Sequence, residues 1–356
     1  SQQGQLYEPV DKDQVMYYRE DKKGQILEEG INEAGAMCSW IAASTSYSTN
    51  NRIMIPFYIF YSMFGFQRIG DLAWAAGDMQ ARGFLLGATA GRTTLYGEGL
   101  QHQDGHSHLM SATIPNCVSY DPSFAHEVAV IIQAGLKRMV ENQENVWYYV
   151  TLMNENYAQP GLKKGQEEGI LKGMYLLREG PAGSGMGKSI PRAQLLGSGT
   201  ILREAIAAAE LLEKDWGVAG DVWSVTSFTE LRREGTDIER WNLLHPTDKP
   251  KKAFVTQQLE RSVGPLIATT DYVRLFADQI RPYIPRGRDY RVLGTDGFGR
   301  SDTREKLREF FEIDRHYVVI AALRALADEG AVPAAKVAEA IRKYGINPNK
   351  PNPATL

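Results

Sequence analysis

The sequence predicts an α/β protein of two domains, each a mainly parallel sheet flanked by helices. Short apolar runs alternate with amphipathic segments from residue 53 to residue 153, which is typical of the strands and helices of a parallel sheet. The segment 154–169 is polar and contains one proline and three glycines, and the alternation resumes after it. We therefore predict an arm or linker over residues 1–20, a first domain over 21–165 and a second over 166–356.

Composition excludes several classes of protein. The 356 residues are 43% hydrophobic and 23% charged, with a net charge of −3, so no broad basic surface indicates nucleic acid or anionic lipid as a partner. No apolar run reaches the roughly 18 residues of a membrane span, and the first residues lack the pattern of a signal peptide. We expect a cytoplasmic protein in which Cys38 and Cys117 are reduced thiols. The missing initiator Met indicates a processed, cut or partial chain.

The first domain begins with a helix over residues 30–45, rich in Gly, Ala and Ser. Its apolar residues have helical spacing, and small side chains suit packing at an interface. The remaining elements follow from apolar runs and their breakers. They are strands at 53–60, 84–88, 114–120 and 146–153, and helices at 61–80 and 124–141.

The second domain repeats the same kind of pattern. We predict strands at 194–197, 222–225, 266–269 and 290–293. The predicted helices cover 201–216, 271–280, 303–311, 318–329 and 334–344.

The loop Gly91–His108 carries several side chains that could take part in catalysis. It holds three of the six histidines, together with Glu98 and several glycines. Imidazole and carboxyl groups are the common proton carriers near pH 7. A metal site is the alternative, but the glycines disfavour the helix that an HxxxH pair needs. We therefore favour a proton-handling loop built on Glu98 and His102.

Two further patterns were considered as signs of nucleotide binding and of hydrolase activity, and neither is supported. The segment 182–189, AGSGMGKS, is followed by a proline and a strand-like run, whereas a phosphate loop needs a helix directly after it. Ser, His and Asp all occur, but no GxSxG turn stands at a strand end, which argues against a hydrolase.

Three residues of the first domain can be read in two ways. Glu33 lies in the small-residue helix, where a carboxylate is costly without a partner, although a surface glutamate is the simpler interpretation. Tyr61 and Phe64 are three apart and would share one helix face. Such aromatics usually belong to a core and less often form a platform for a flat ligand.

Long runs of the chain resemble one known family. GQILEEGINEAG, STNNRIMIPFYIFYSMFGFQRIGDLAWAAGDMQARGFLLG and GRTTLYGEGLQHQDGHSH closely resemble the decarboxylating first component of bacterial, homodimeric pyruvate dehydrogenase complexes. The resemblance continues through VWSVTSFTELRREG and YRVLGTDGFGRSDTREKLREFFEID. It implies the pyrimidine-binding domain of a thiamine diphosphate enzyme, followed by a transketolase C-terminal-like domain.

The resemblance implies roles for individual residues. Glu33 matches the glutamate that hydrogen-bonds the aminopyrimidine ring and favours its imino tautomer. Phe64 matches the aromatic that stacks on this ring, and Tyr61 lies beside it as a polar contact. Glu98 and His102 match acid–base residues near the reacting carbons. The second domain has no matched catalytic residue and is interpreted as an element that stabilises a dimer.

The implied reaction is oxidative decarboxylation of pyruvate and reductive acetylation of the lipoyl group of dihydrolipoyl acetyltransferase. The family's GDG motif, which with a later Asn binds Mg²⁺ and diphosphate, is not found in this sequence. We therefore expect Mg²⁺ from a missing domain, and a homodimer or a complementary diphosphate-binding domain as partner. One alternative is an inactive fragment that serves as a scaffold or dimerisation module. A more distant one is transketolase-like sugar chemistry.

Overall fold

The computed structural model describes residues 5–8, 12–13, 21–182 and 190–356. Most of the predicted arm over residues 1–20 lies outside the described residues, as do residues 183–189 of the glycine-rich motif. Over the described part, the prediction of an α/β protein with two mainly parallel sheets is confirmed. The division of the chain near residue 165 stays a prediction.

The first sheet has four strands in the order β1-β2-β4-β3, and all its pairs are parallel. Its strands are β1 Phe57–Tyr61, β2 Phe84–Ala88, β3 Cys117–Tyr120 and β4 Trp147–Thr151. The second sheet has the order β5-β7-β6-β8-β9, with β5 antiparallel to β7 and the other pairs parallel. Its strands are β5 Tyr175–Arg178, β6 Arg192–Gly197, β7 Ala219–Ser224, β8 Leu266–Thr269 and β9 Tyr290–Leu293.

Helices cover both sheets. Those that precede the second sheet are α1 Glu33–Ser44, α2 Ser46–Thr49, α3 Gly65–Asp78, α4 Ser107–Ser111, α5 Ala125–Leu136 and α6 Glu167–Lys172. Those within and after it are α7 Leu202–Leu211, α8 Phe228–Leu244, α9 Phe254–Leu259, α10 Leu275–Asp278, α11 Arg304–Phe310, α12 Arg315–Asp328 and α13 Ala334–Lys343. The π-turns Lys137–Glu141 and Leu212–Trp216 extend α5 and α7.

Alternate side chains of the strands supply the two faces of each sheet. In β4, Trp147 packs with Trp40 and Ile69 on the α1 and α3 side, while Tyr148 packs with Ile131 on the α5 side. All five of these side chains are buried. The second sheet has the same arrangement, with α7, α12 and α13 on one face and α8 to α10 on the other.

Several predicted elements need correction. The prediction for 61–80 was wrong at its start, because Tyr61 ends β1 and the helix begins only at Gly65. In α1 the buried side chains are Met37, Trp40 and Ser44, whereas Ile31 is 98% exposed and Cys38 is exposed. The helix predicted over 271–280 is reduced to α10. The elements that the sequence pattern did not predict are β5 and the helices α2, α4, α6, α8 and α9.

Both cysteines are free, as predicted. Cys117 is buried in the first core, and burial raises the pKa of its thiol well above the ordinary value. The thiol is therefore a packed apolar group at neutral pH.

A buried cluster of charges connects the two domains. Arg308 of α11 is 5% exposed and contacts the carboxylates of Glu155 and, at 3.5 Å, Glu204. Its Nε also donates to Thr93 Oγ1 at 3.3 Å. Burial alone would raise the pKa of the Glu155 carboxyl, but hydrogen bonds and charge from Arg308 outweigh burial and hold it at about 2. Arg308 therefore compensates carboxylates that could not otherwise be buried ionised.

We expect Arg308→Met to lower the free energy of unfolding by about 3–5 kcal/mol, because it leaves buried carboxylates without their cation. Denaturant unfolding of the 356-residue chain, followed by tryptophan fluorescence, measures the loss. Arg324→Met is the matched control, since Arg324 is 57% exposed and pairs with Asp328 on the protein surface. Equal midpoints for the two variants would contradict the compensating role of Arg308.

Candidate functional site

The site forms at the carboxyl edge of the first sheet. Tyr61, the last residue of β1, pairs in register with Ala88, the last residue of β2. The loop Gly91–His108 follows β2 directly. Since the carboxyl ends of parallel strands meet at one edge, strand order alone brings Tyr61 and this loop together.

Three aromatic rings meet at this edge. The Phe64 ring lies 6.1 Å from that of Tyr61 and 5.0 Å from that of His102, measured between centroids. Tyr61 and His102 are 5.9 Å apart, and all three pairs contact edge to face. Tyr61 is 45% exposed. Tyr61 and Phe64 are thus neighbours as predicted, but because a strand ends and a turn follows, not because they share a helix face.

Glu98 and His102 face each other across a single turn. A 3-10 turn, Gly99–Gln101, separates them, and the His102 N–H donates to the Gly99 carbonyl at 3.2 Å. This turn places His102 Nε2 3.2 Å from Glu98 Oε2. The structure therefore brings together the two residues that the sequence analysis paired as proton carriers.

Glu33 has the partner that its position requires. It is the first residue of α1, its side chain is 15% exposed, and Arg68 Nη1 donates to its Oε1 at 2.7 Å. The Arg68 guanidinium carbon also lies 4.3 Å from the centroid of the Phe64 ring. Burial, with added repulsion from Glu33 and Glu29, raises the pKa of nearby Tyr58 to about 12.

All five predicted site residues thus belong to one contact chain: Glu33–Arg68–Phe64–His102–Glu98, with Tyr61 against Phe64 and His102. Arg68 is the member that the sequence analysis missed. Its spacing of four from Phe64 near the start of α3 was the available signal, because such residues share one side of a helix turn.

The other two histidines of the loop have different surroundings. His106 contacts Gln67 Nε2 at 2.8 Å through its own Nε2. His108 is 1% exposed and lies 3.0 Å from Thr151 Oγ1 through its Nε2. Its ring stacks on Phe276 of the second domain. Burial lowers the pKa of the His108 imidazole to about 4, so this ring is a neutral packing group at pH 7.

The loop packs into the protein interior and contacts the second domain. Its residues Thr93, Thr94 and Gln103 are fully buried. The second domain holds it at several points: Arg304 Nε donates to the Thr94 carbonyl at 2.9 Å, and Val273 N–H to the Gly105 carbonyl at 2.9 Å. The second domain therefore supports the site directly, whatever its role in a dimer.

The arrangement suits a flat heteroaromatic ring with basic nitrogens. Phe64 offers an aromatic surface, Glu33 a carboxylate acceptor, and the Glu98–His102 pair a group that can hold or release a proton. Within residues 21–182 and 190–356, no group of three or more His, Cys, Asp or Glu side chains is placed to hold a metal ion. The same described part has no helix of the length and hydrophobicity that a membrane span requires.

Comparison with known families matches each half of the chain to a separate model. Residues 1–160 match the pyruvate dehydrogenase E1 component middle domain. Residues 173–314 match the transketolase-like C-terminal domain.

Curated relatives match along almost the whole chain. The pyruvate dehydrogenase E1 component of Pseudomonas aeruginosa is 66% identical over 98% of this chain, and that of Escherichia coli K12 is 61% identical over 99%. The chain spans 39% of the length of each of these relatives.

Solved structures show the same fold at low identity. A transketolase from Campylobacter jejuni aligns with a TM-score of 0.54 at 18% identity, over 80% of this chain and 38% of its own. A structure described as a split gene transketolase, inactive β4 tetramer, aligns with a TM-score of 0.57 at 16% identity, over 84% and 83%. From the domain matches and the close relatives together, the chain belongs to the pyruvate dehydrogenase E1 component family, of which it holds the middle and transketolase-like C-terminal domains.

Proposed function

We propose that this chain supplies the pyrimidine-binding half of a thiamine diphosphate site in a pyruvate dehydrogenase. The whole enzyme would decarboxylate pyruvate and acetylate the lipoyl group of dihydrolipoyl acetyltransferase. The observation that carries the proposal is the contact chain from Glu33 through Arg68, Phe64 and His102 to Glu98. The close relatives named pyruvate dehydrogenase E1 component support the same reaction.

Glu33 and Phe64 are the residues that would hold the aminopyrimidine. An ionised carboxylate only accepts hydrogen bonds, so Glu33 would select a protonated ring nitrogen. Arg68, bound to Oε1, fixes the carboxylate in place. Stacking on Phe64 would add about 0.5–1.5 kcal/mol beyond the burial of apolar area. Tyr61 borders the same space with a hydroxyl group.

His102 is the residue that would hold or move protons beside the substrate. When bound, thiamine diphosphate supplies the electron sink that decarboxylation of a 2-keto acid requires. Glu98, 3.2 Å from His102 Nε2, would orient the imidazole. His102 also contacts both aromatic rings that border the pyrimidine position. These contacts support the proposal that His102 would transfer a proton to or from a bound substrate.

The proposed partner covers an exposed apolar face. Phe57, Ile59 and Tyr61 alternate on β1, the edge strand, and are between 45% and 62% exposed. A diphosphate-binding domain with its Mg²⁺, from a second copy or a complementary chain, is proposed to pack there. The non-catalytic alternative, a dimerising scaffold, would use the same face, and only activity measurements separate the two.

We expect the 356-residue chain alone to bind thiamine diphosphate weakly or not at all. Diphosphate and Mg²⁺ dominate the anchoring of such a cofactor, and the described residues include no group of three or more His, Cys, Asp or Glu side chains that could hold the metal ion. Calorimetry with and without Mg²⁺ measures the binding. Micromolar, Mg²⁺-dependent binding to this chain would contradict the expectation.

The complete natural protein gives the decisive test. It should bind the cofactor and release CO₂ from pyruvate, and it should acetylate an added lipoyl domain. A complete protein that binds the cofactor without consuming pyruvate would support the scaffold alternative instead.

A further inference from the structure

The side-chain amide of Gln103 joins the site loop to the second domain. Gln103 is fully buried. Its Nε2 donates to the Leu95 carbonyl at 2.8 Å and to the Arg300 carbonyl at 2.7 Å, and its Oε1 accepts from the Arg300 N–H at 2.8 Å. Both donors and the acceptor of the amide are therefore used, and they bridge two backbone segments that are distant in sequence.

The backbone around this bridge is adapted to close approach. A Cβ on Gly299 would lie 2.6 Å from Gln103 Oε1, so a side chain there would have to displace the Gln103 amide. Gly99, with φ of +64°, takes a conformation that side chains disfavour, and a Cβ there would collide with Ser301. The Asp302 N–H completes the contact by donating to the Tyr96 carbonyl at 3.1 Å. Segment 299–302 thus lies directly against segment 95–103.

The two ends that Gln103 fixes enclose the proton-handling pair. Leu95 precedes Glu98, and Gln103 directly follows His102. The turn between Glu98 and His102 is short, and one backbone hydrogen bond from His102 to Gly99 closes it. Without the bridge, the three hydrogen bonds of the Gln103 side chain would be lost. The turn that carries Glu98 and His102 would then be less restrained and free to shift away from Phe64.

We propose that Gln103 is a positioning residue that locks the Glu98–His102 pair onto Gly299 and Arg300 of the second domain. The second domain then takes part in catalysis by fixing where the imidazole of the first domain lies. This inference rests on the function proposed above for His102. It assigns no contact between Gln103 and substrate or cofactor.

A double-mutant cycle in the complete protein tests the proposal. Gln103→Met removes all three hydrogen bonds at similar volume, and we expect kcat to fall about 10²-fold, the effect of displacing a reacting group by roughly 1 Å. The affinity for thiamine diphosphate should stay unchanged. In a His102→Ala background the same substitution should cost less than about threefold, because there is no imidazole left to position. Gln101→Met is the matched control, since Gln101 is exposed in the same turn, and it should leave kcat unchanged.

A second measurement does not depend on activity. Hydrogen exchange in the cofactor-free complete protein should become at least tenfold faster in peptides covering 95–103 for Gln103→Met, and remain unchanged for Gln101→Met. Gly299→Ala would disturb the same bridge from the second domain, and its effect on kcat should be non-additive with that of His102→Ala. This variant provides the test if Gln103→Met does not fold.

The outcomes separate this inference from the proposed function. Additive losses in the cycle, or unchanged exchange over 95–103, would overturn the positioning role and leave the role of His102 intact. A His102→Ala variant with full activity would overturn both.

Discussion

Glu33→Gln in the complete protein is expected to nearly abolish turnover while the fold survives. The amide keeps the size of the side chain but cannot carry the negative charge that a protonated ring nitrogen requires. The loss should approach the upper end of the roughly 10²–10⁴-fold contributed by a positioned proton-transfer group. Because Glu33 begins α1 and is only partly buried, the substitution should leave the core unchanged.

The measurement is the rate of C2 proton exchange on the bound cofactor, alongside pyruvate consumption and thermal unfolding. Glu28→Gln is the control, since Glu28 is exposed in the segment before the helix. Arg68→Met separates the two functions of the contact, because it keeps the carboxylate and removes the ion pair at 2.7 Å. An unchanged exchange rate in Glu33→Gln would show that its carboxylate does not activate the cofactor.

The parts of the fold that the sequence predicts best are short apolar runs between breakers. The predicted bounds of β2, β8 and β9 coincide with the observed strands. For β2 and β8 the reason is that strands buried on both faces are continuously apolar. Helix α8 was missed because its buried side chains lie only in its first half, Phe228 to Gly235, and the rest is exposed or only partly buried. The start of α8 could have been predicted, because the S-x-x-E spacing of Ser227 and Glu230 is a known helix-capping pattern. In the structure, the Ser227 side chain accepts a hydrogen bond from the Glu230 N–H.

The residues of the site could be named from the sequence, but their surroundings could not be predicted from it. Glu98 and His102 could be proposed as proton carriers from their loop alone, whereas the roles of the other residues came from the family resemblance. Spacing placed Tyr61 and Phe64 together for the wrong reason. The different environments of His102 and His108 could not be predicted from the residues next to them in the sequence. They depend on Tyr61 and Phe64 on one side and on Thr151 and Phe276 on the other, and tertiary packing alone brings these residues to the loop.

This difference between the histidines sharpens the last prediction, for His102→Ala in the complete protein. We expect turnover to fall by about 10²–10⁴-fold while cofactor binding persists, because a proton-transfer group is removed and no core contact is lost. His102 is partly exposed at the edge of the site, and its partner Glu98 is exposed as well. Steady-state kinetics and calorimetry with the cofactor measure the two quantities.

The neighbouring histidines supply the controls, and each has its own expected result. His106→Ala loses a contact to the exposed Gln67 and should retain most activity. His108→Ala empties a buried position between the two domains and should lower stability more than it lowers the activity of the folded fraction. A metal site predicts the opposite pattern, in which all three variants lose activity equally and elemental analysis finds stoichiometric zinc. Since the three rings face different partners in the structure, equal losses would require the loop to rearrange around an ion, and that result would overturn the assignment of His102.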